Sequence, residues 1–170
     1  MAQDTIKCYD SPSDVVQALA EDFIAFTNEE INRTETCVVG ITGGTVINGL
    51  LELLNSPEYI ERLNWERIFF VWTDERFLPQ SHEDNYFNRV KPYLLCKAKG
   101  AAHFLPINTD SKTVIEAAAE YEKEVKNVLK ACKKKWPRFG IARSWRRWSY
   151  SRPICRFSCI ACHRSRRGSR

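Results

Sequence analysis

The first candidate for chemistry is a glycine-containing loop, Thr42-Gly43-Gly44-Thr45, between a short apolar segment and one with helical periodicity. Two adjacent glycines let backbone amides approach an anion closely, and the first turn of the following helix presents N–H groups with partial positive charge. Thr42 and Thr45 add hydroxyl donors. The loop lacks the Gly-Lys-Ser/Thr of a Walker loop and the dinucleotide-binding fingerprint. The pattern indicates a phosphate cradle, with a simple turn between strand and helix as the alternative.

A second candidate is the charged run Asp74-Glu75-Arg76, which directly follows the apolar segment 68–72. A guanidinium can hold a phosphate or carboxylate through two parallel hydrogen bonds, so Arg76 is a candidate anion clamp. Asp74 can act as a base or orient one. The alternative is an ion pair on the protein surface.

The remaining residues of catalytic type give weaker signals. His82 lies in the polar stretch QSHEDN and is expected to be solvated, whereas His103 begins an apolar run and is expected to be structural. The aromatic side chains near the strands are expected to form core rather than a stacking platform: Trp65, Phe69, Phe70 and Trp72. The scattered cysteines lack metal or disulfide spacing: Cys8, Cys37, Cys96 and Cys132. Free thiols favour a reducing, cytoplasmic location.

Strand and helix patterns alternate along the chain. Pro12 and the acids near it predict a helix over 12–31. Short apolar runs predict strands, and helical spacing predicts helices, in this order: strand 36–41, helix from 46, strand 68–72, helix 84–95, strand 103–107, helix 111–131 and a strand entered at 137–139. The alternation predicts an α/β fold: a doubly wound, mostly parallel, Rossmann-like sheet with crossover helices, incomplete after about residue 139. Both candidate motifs follow strands, where such sheets bind ligands.

The ordered series of these motifs resembles the 6-phosphogluconolactonase family, which belongs to a larger group with the glucosamine-6-phosphate isomerases and deaminases. The matching segments are GITGGTVINGLLELL, IFFVWTDERFLP, DNYFNRVKPYLL and AAAEYEKEV. The resemblance covers about residues 10–139. The chain departs from the family at Thr45-Val46, where many members have Ser or Thr followed a little later by proline, and at Asp84, where serine is usual.

The resemblance implies hydrolysis of 6-phosphoglucono-1,5-lactone to 6-phosphogluconate in the oxidative pentose phosphate pathway, without metal or other cofactor. It assigns the substrate phosphate or ring hydroxyls to Gly43, Gly44 and Thr45, and an anionic group to Arg76. Asp74 would orient polar groups at the reacting end of the substrate. Asn85 would be one of the substrate-binding residues and would support the loop. A sugar-phosphate deaminase of the same fold is the alternative; deaminases usually have Tyr where this chain has Arg76.

Residues 140–170 differ sharply from the rest of the chain. They contain nine Arg, three Cys and no Asp, Glu or Lys. Removing these nine charges from the net charge of +5 leaves residues 1–139 at −4. The body therefore has the composition of one acidic globular domain with no membrane span, and the basic strip offers nucleic acid only nonspecific contacts.

The family continues at this point with G-x-G-x-D-G-H, whose histidine is its general base, but this chain has GIARSWRRWSYSRP there. Synonymous codons for residues 140–161 can be chosen so that a frame displaced by one base spells GLLGLGDDGHI and then AGLFADSPAL. We therefore expect a frame slip near residues 139–142, a disordered out-of-frame tail, and a poorly stable chain with little lactonase activity. The alternatives are a genuine nucleic-acid-binding tail and a zinc site at Cys155, Cys159, Cys162 and His163.

Overall fold

The computed structural model describes residues 8–95, 102–111 and 113–133. Cys96, the strand predicted at 137–139 and the tail 140–170 lie outside the described residues. The described cysteines, Cys8, Cys37 and Cys132, are thiols rather than disulfides.

The first helix, α1 (Pro12–Thr34), has defined signals at both ends. The Ser11 side chain accepts a hydrogen bond from the Asp14 N–H, and Pro12 occupies the first turn, where its missing N–H costs nothing. The helix runs three residues past the predicted end because Glu35 adopts a left-handed conformation (φ 67°), with its N–H donating to the Ile31 carbonyl oxygen.

Three strands form a parallel sheet in chain order: β1 (Cys37–Ile41), β2 (Ile68–Trp72) and β3 (His103–Leu105). Ile41 pairs with Trp72, so the carboxyl ends of β1 and β2 lie side by side. β3 ends two residues earlier than predicted, where Pro106 has no N–H to donate to a neighbouring strand. The predicted α/β fold with a parallel sheet is confirmed. The three described strands are added in one direction, from β1 to β3, and the second direction of a doubly wound sheet is not represented among them.

Three more helices follow the strands: α2 (Thr45–Leu54), α3 (Tyr86–Leu95) and α4 (Val114–Ala131), with short 3-10 helices at Ile60–Arg62 and Trp65–Arg67. α4 begins later than predicted because the Thr113 side chain, rather than Ser111, accepts from the Glu116 N–H and caps it. None of the described helices has the length and apolar character needed to cross a bilayer.

One buried cluster packs all four helices against the sheet. The ring of Phe70 stacks between Phe23 of α1 and Phe104 of β3, with centroids 6.3 Å and 5.2 Å away. Trp65 and Trp72 are also buried, and Phe69 packs against the core, so the prediction of core aromatics is confirmed. Tyr121 of α4 is bonded to the end of β2: its Oη lies 2.6 Å from the Trp72 nitrogen and 2.9 Å from the Trp72 oxygen. These contacts fix the end of β2 from which the charged run emerges.

Candidate active site

An open cleft of about 280 Å³ lies at the carboxyl edge of the sheet. It brings together five residues that were predicted from the sequence to have a role in the site: Gly43, Gly44, Thr45, Asp74 and Arg76. They come from two loops separated by about 30 positions in the chain, and they meet because β1 and β2 are adjacent and parallel. Four further residues line the cleft: Asn48, Glu75, Tyr86 and Arg89.

The glycine loop requires glycine at position 44 and is tightly packed at Gly43. Gly44 has φ +153° and ψ 156°, a conformation open almost only to glycine. A Cβ on Gly43 would lie 3.3 Å from Cδ2 of Tyr86, so a larger residue would press on that ring. Gly44 precedes α2 and supplies no side-chain cap. Thr45, the first residue of α2, lines the cleft, so the uncapped N–H groups of this first turn are placed to bind an anion.

Asp74 is held at the end of β2 by threonine hydroxyls. Thr42 Oγ1 donates to Asp74 Oδ1, and Thr73 Oγ1 lies 3.0 Å from the same oxygen and 3.1 Å from the Ile41 carbonyl oxygen. Thr42 is buried. It is not among the cleft-lining residues, so its contact with Asp74 places it as a support for that carboxylate.

Arg76 lies at the mouth of the cleft with 63% of its side chain exposed. Its Nη1 donates to the Asp84 carbonyl oxygen at 3.1 Å and lies 3.9 Å from Asp84 Oδ1. An exposed pair of this kind stabilises a fold by about 0–1 kcal/mol. Little energy therefore opposes the movement of the guanidinium onto an anion in the cleft.

Asn85 is fully buried and does not line the cleft. Its Nδ2 donates to Thr109 Oγ1 at 3.1 Å, and its Oδ1 accepts from the Asn88 N–H at 3.2 Å. The amide thus joins the start of α3 to the segment that follows β3. This position favours the supporting role that the resemblance implied over direct contact with substrate.

Glu75 has a role that the sequence analysis missed. Its Oε1 accepts from the N–H groups of Arg76 (2.8 Å) and Tyr86 (2.9 Å), and its Oε2 accepts from the Phe87 N–H (3.0 Å). One carboxylate therefore fastens the charged run to the N-terminus of α3, where negative charge is favoured. α3 begins at Tyr86 rather than at the predicted Asp84 because Asn85 is the N-cap, with its side chain accepting from the Asn88 N–H, and Glu75 accepts from the two N–H groups before it.

We expect the substitution Glu75→Gln to lower the free energy of unfolding by about 2 kcal/mol, because an amide has one acceptor oxygen for these N–H groups and carries no charge. Urea unfolding followed by circular dichroism measures this loss. Glu52→Gln, at an exposed position of α2, is the matched control. Equal unfolding midpoints for the two variants would contradict the capping role.

Tyr86 forms part of the cleft wall and is 7% exposed. Burial raises the pKa of its phenol above the ordinary value, and the negative charges of Asp74 and Glu75 raise it further, against a smaller opposite effect of Arg89. The phenol therefore stays neutral at physiological pH. Tyr86 and Arg89 belong to a segment whose sequence predicted only a helix, so no local signal distinguished them.

The two described histidines stand outside the cleft, as predicted. His82 is exposed in its loop, where Nδ1 accepts from the Asp84 N–H at 3.0 Å. The ring of His103 stacks on Phe69, with centroids 4.2 Å apart, and its Nε2 lies 3.2 Å from the Glu66 carbonyl oxygen. In the described part of the chain, no group of three His, Cys, Asp or Glu side chains is arranged to hold a metal ion.

The parallel α/β sheet places this chain in the class of Rossmann-like folds, and its glycine loop, helix N-terminus and two arginines lie at the edge of the sheet where such folds bind ligands. The family model described as glucosamine-6-phosphate isomerases/6-phosphogluconolactonase matches residues 10–142, and the chain belongs to this family. The predicted resemblance is therefore confirmed.

Individual relatives agree with this assignment. A probable 6-phosphogluconolactonase 1 of Oryza sativa subsp. japonica is 28% identical over 126 residues, which are 74% of this chain and 42% of the relative. A probable 6-phosphogluconolactonase 1 of Arabidopsis thaliana is 30% identical over 112 residues, which are 65% of this chain and 41% of that protein. The chain thus spans about two fifths of the length of these relatives.

Solved structures support the fold. A 6-phosphogluconolactonase from Shewanella baltica superposes with a TM-score of 0.65 at 20% identity, covering 74% of this chain and 52% of that one. A monomeric glucosamine-6-phosphate deaminase superposes with a TM-score of 0.61 at 16% identity, over 74% of this chain and 51% of the other. Both activities of the family therefore occur on this fold.

Proposed function

We propose that this chain carries the substrate-holding part of an enzyme that hydrolyses 6-phosphoglucono-1,5-lactone to 6-phosphogluconate, without a metal or other cofactor. The observation that carries the proposal is the cleft in which Gly43, Gly44 and Thr45 face Asp74 and Arg76. The names of the relatives, probable 6-phosphogluconolactonases, support it. The proposed partner is a small phosphorylated sugar lactone, and the proposed location is the cytoplasm.

In this proposal the loop and the N-terminus of α2 bind one anionic or hydroxyl-rich end of the substrate. Arg76 pairs with an anionic group, because its guanidinium lines the cleft and is held only weakly by Asp84. Asp74 accepts hydrogen bonds through Oδ1 from the threonine hydroxyls, and we assign Oδ2 to the substrate or to the attacking water. Thr42 and Asn85 do not line the cleft and support it indirectly, Thr42 through Asp74 and Asn85 through Thr109.

The reaction is the attack of water on the lactone carbonyl carbon, followed by opening of the ring. Negative charge develops on the carbonyl oxygen, so N–H or guanidinium donors near it lower the barrier. The attacking water must lose a proton, and the resemblance assigns this step to the histidine of G-x-G-x-D-G-H, which residues 140–170 lack. The residues in the cleft therefore supply binding and orientation rather than the main proton acceptor.

A sugar-phosphate deaminase is the second candidate, because the family and the fold include it. Calorimetric titration with the reaction product and with glucosamine 6-phosphate separates the two. We expect 6-phosphogluconate to bind at least about tenfold more tightly, a difference of about 1.4 kcal/mol, because Arg76 pairs with its carboxylate and repels the ammonium of the amino sugar. Tighter binding of glucosamine 6-phosphate would instead favour the deaminase.

A further inference from the structure

Two polar atoms of the cleft residues lack a hydrogen-bond partner within the described part of the chain: Oδ1 of Asn48 and Oη of Tyr86. Both atoms are shielded from solvent, and the Tyr86 side chain is 7% exposed. A buried polar atom without a partner is costly, so folded proteins rarely keep one without a reason. The carboxylates of Asp74 and Glu75 in the same cleft do have partners. Four other buried polar atoms of the described residues also lack a partner, but none of their residues lines the cleft: Thr36 Oγ1, Asn55 Oδ1, Ser56 Oγ and Trp72 Nε1.

Backbone hydrogen bonds hold both residues beside the cleft. Tyr86 is the first residue of α3, its N–H donates to Glu75 Oε1, and its ring packs against Gly43 on one side and Trp72 on another. Asn48 lies one turn into α2, and its N–H donates to the Gly44 carbonyl oxygen at 3.0 Å. Both residues thus lie in the first turns of the two helices that begin at the cleft.

The chemistry of the two atoms selects the kind of group that can satisfy them. Asn48 Oδ1 only accepts hydrogen bonds, so an ionised phosphate or carboxylate has no proton to offer it. A neutral phenol donates one hydrogen bond. A sugar hydroxyl is both donor and acceptor, so it suits an acceptor and a donor in one cleft, whereas a simple anion does not.

We propose that Asn48 Oδ1 and Tyr86 Oη bind hydroxyl groups of the phosphorylated sugar acid or lactone, with Asn48 accepting and Tyr86 donating a hydrogen bond. Rotation of each side chain on ligand binding brings these shielded atoms to the open part of the cleft. This inference rests on the proposed function and adds how the polyol portion is recognised. The loop and Arg76 bind the charged groups of the ligand. Asn48 and Tyr86 distinguish a ligand with hydroxyl groups from one of the same length without them.

Two ligands of the same length test the proposal: 6-phosphogluconate, and 6-phosphohexanoate, which has the phosphate and the carboxylate but no hydroxyl groups. The full chain is expected to bind 6-phosphogluconate more tightly in calorimetric titration. Tyr86→Phe and Asn48→Leu are each expected to weaken 6-phosphogluconate binding about three- to tenfold and to leave 6-phosphohexanoate binding unchanged. Tyr93→Phe, at an exposed position of the same helix α3, is the control and leaves both affinities unchanged.

Each other result has a definite meaning. If either variant weakens both ligands equally, the residue shapes the cleft and the proposed hydroxyl contact is wrong. If neither variant weakens either ligand, a trapped water or another part of the chain satisfies these atoms, and the inference is wrong while the proposed function stands. If the unaltered chain binds both ligands equally, hydroxyl recognition is again excluded and the anion site remains. If it binds neither, both the proposed function and this inference are wrong.

Discussion

Replacing residues 140–170 with a segment that carries G-x-G-x-D-G-H is expected to raise the lactonase turnover of this chain by about a hundredfold or more. A positioned general base contributes about 10²–10⁴ to a hydrolysis rate, and the printed sequence has no histidine at the place where the family has its base. The cleft residues already present would orient the lactone toward that base. Turnover is measured as proton release, after subtraction of spontaneous lactone hydrolysis.

The replacement segment follows from the coding DNA, translated from codon 140 in the frame displaced by one base. The matched control is the same replacement with alanine at the position of the motif histidine, because it separates the base from any gain in stability. We expect the control to regain stability but not turnover. Equal turnover of the unaltered chain and of the variant with the replacement segment would show that the histidine is dispensable. A displaced frame without the motif would show that the frame slip is wrong and that the basic strip is genuine.

The substitution Arg76→Ala is expected to weaken 6-phosphogluconate binding about tenfold to a hundredfold. A hydrogen bond to a charged group contributes about 1.5–3 kcal/mol, and Arg76 is positioned to form one with an anion in the cleft. The substitution costs the free protein little, because Arg76 is exposed and contacts Asp84 only through one exposed hydrogen bond of 3.1 Å and an ion pair of 3.9 Å. The affinity is measured by calorimetric titration at two salt concentrations.

Arg67→Ala is the matched control, because Arg67 is also exposed but lies at the opposite end of β2. It removes the same net charge and is expected to change the affinity less than twofold. The affinity of Arg76→Lys for 6-phosphogluconate should lie between those of the unaltered chain and Arg76→Ala, since lysine keeps the charge but not the planar pair of donors. If the two alanine variants lose affinity equally, the loss comes from the change in net charge, and if neither loses affinity, Arg76 makes no contact with the ligand. Either result would contradict the anion clamp.

Several features of the fold followed from local sequence. The bounds of β2 were predicted correctly because Ile68–Trp72 is an unbroken apolar run between polar residues, as a strand buried on both faces requires. The start of α1 was correct because Ser11 and Pro12 act within a few residues of each other. The start of α3 was predicted two residues too early. Asn85 caps this helix locally, and Glu75, eleven residues before Tyr86, also accepts from its first-turn N–H groups.

The candidate site was predictable where a general rule of topology applied. Adjacent parallel strands place their carboxyl ends at one edge, so the loop at Gly43 and the run at Asp74 could be expected to meet, and the cleft joins them. The supporting contact from Thr42 to Asp74 was not predicted. It depends on the register of two strands, and no spacing within either motif encodes that register.

The sequence by itself determined the α/β class, the family and the two motifs that face the cleft. Each strand, helix and motif depends on residue types within a few positions, and their order along residues 10–139 indicates the class and the family. Only the tertiary structure decided the other wall of the cleft. Asn48 and Tyr86 have ordinary helical sequence contexts, and their unpaired atoms become apparent only when α2 and α3 pack at the same edge of the sheet. Burial and hydrogen bonding depend on neighbours distant in the chain, and local patterns do not specify which neighbours these are.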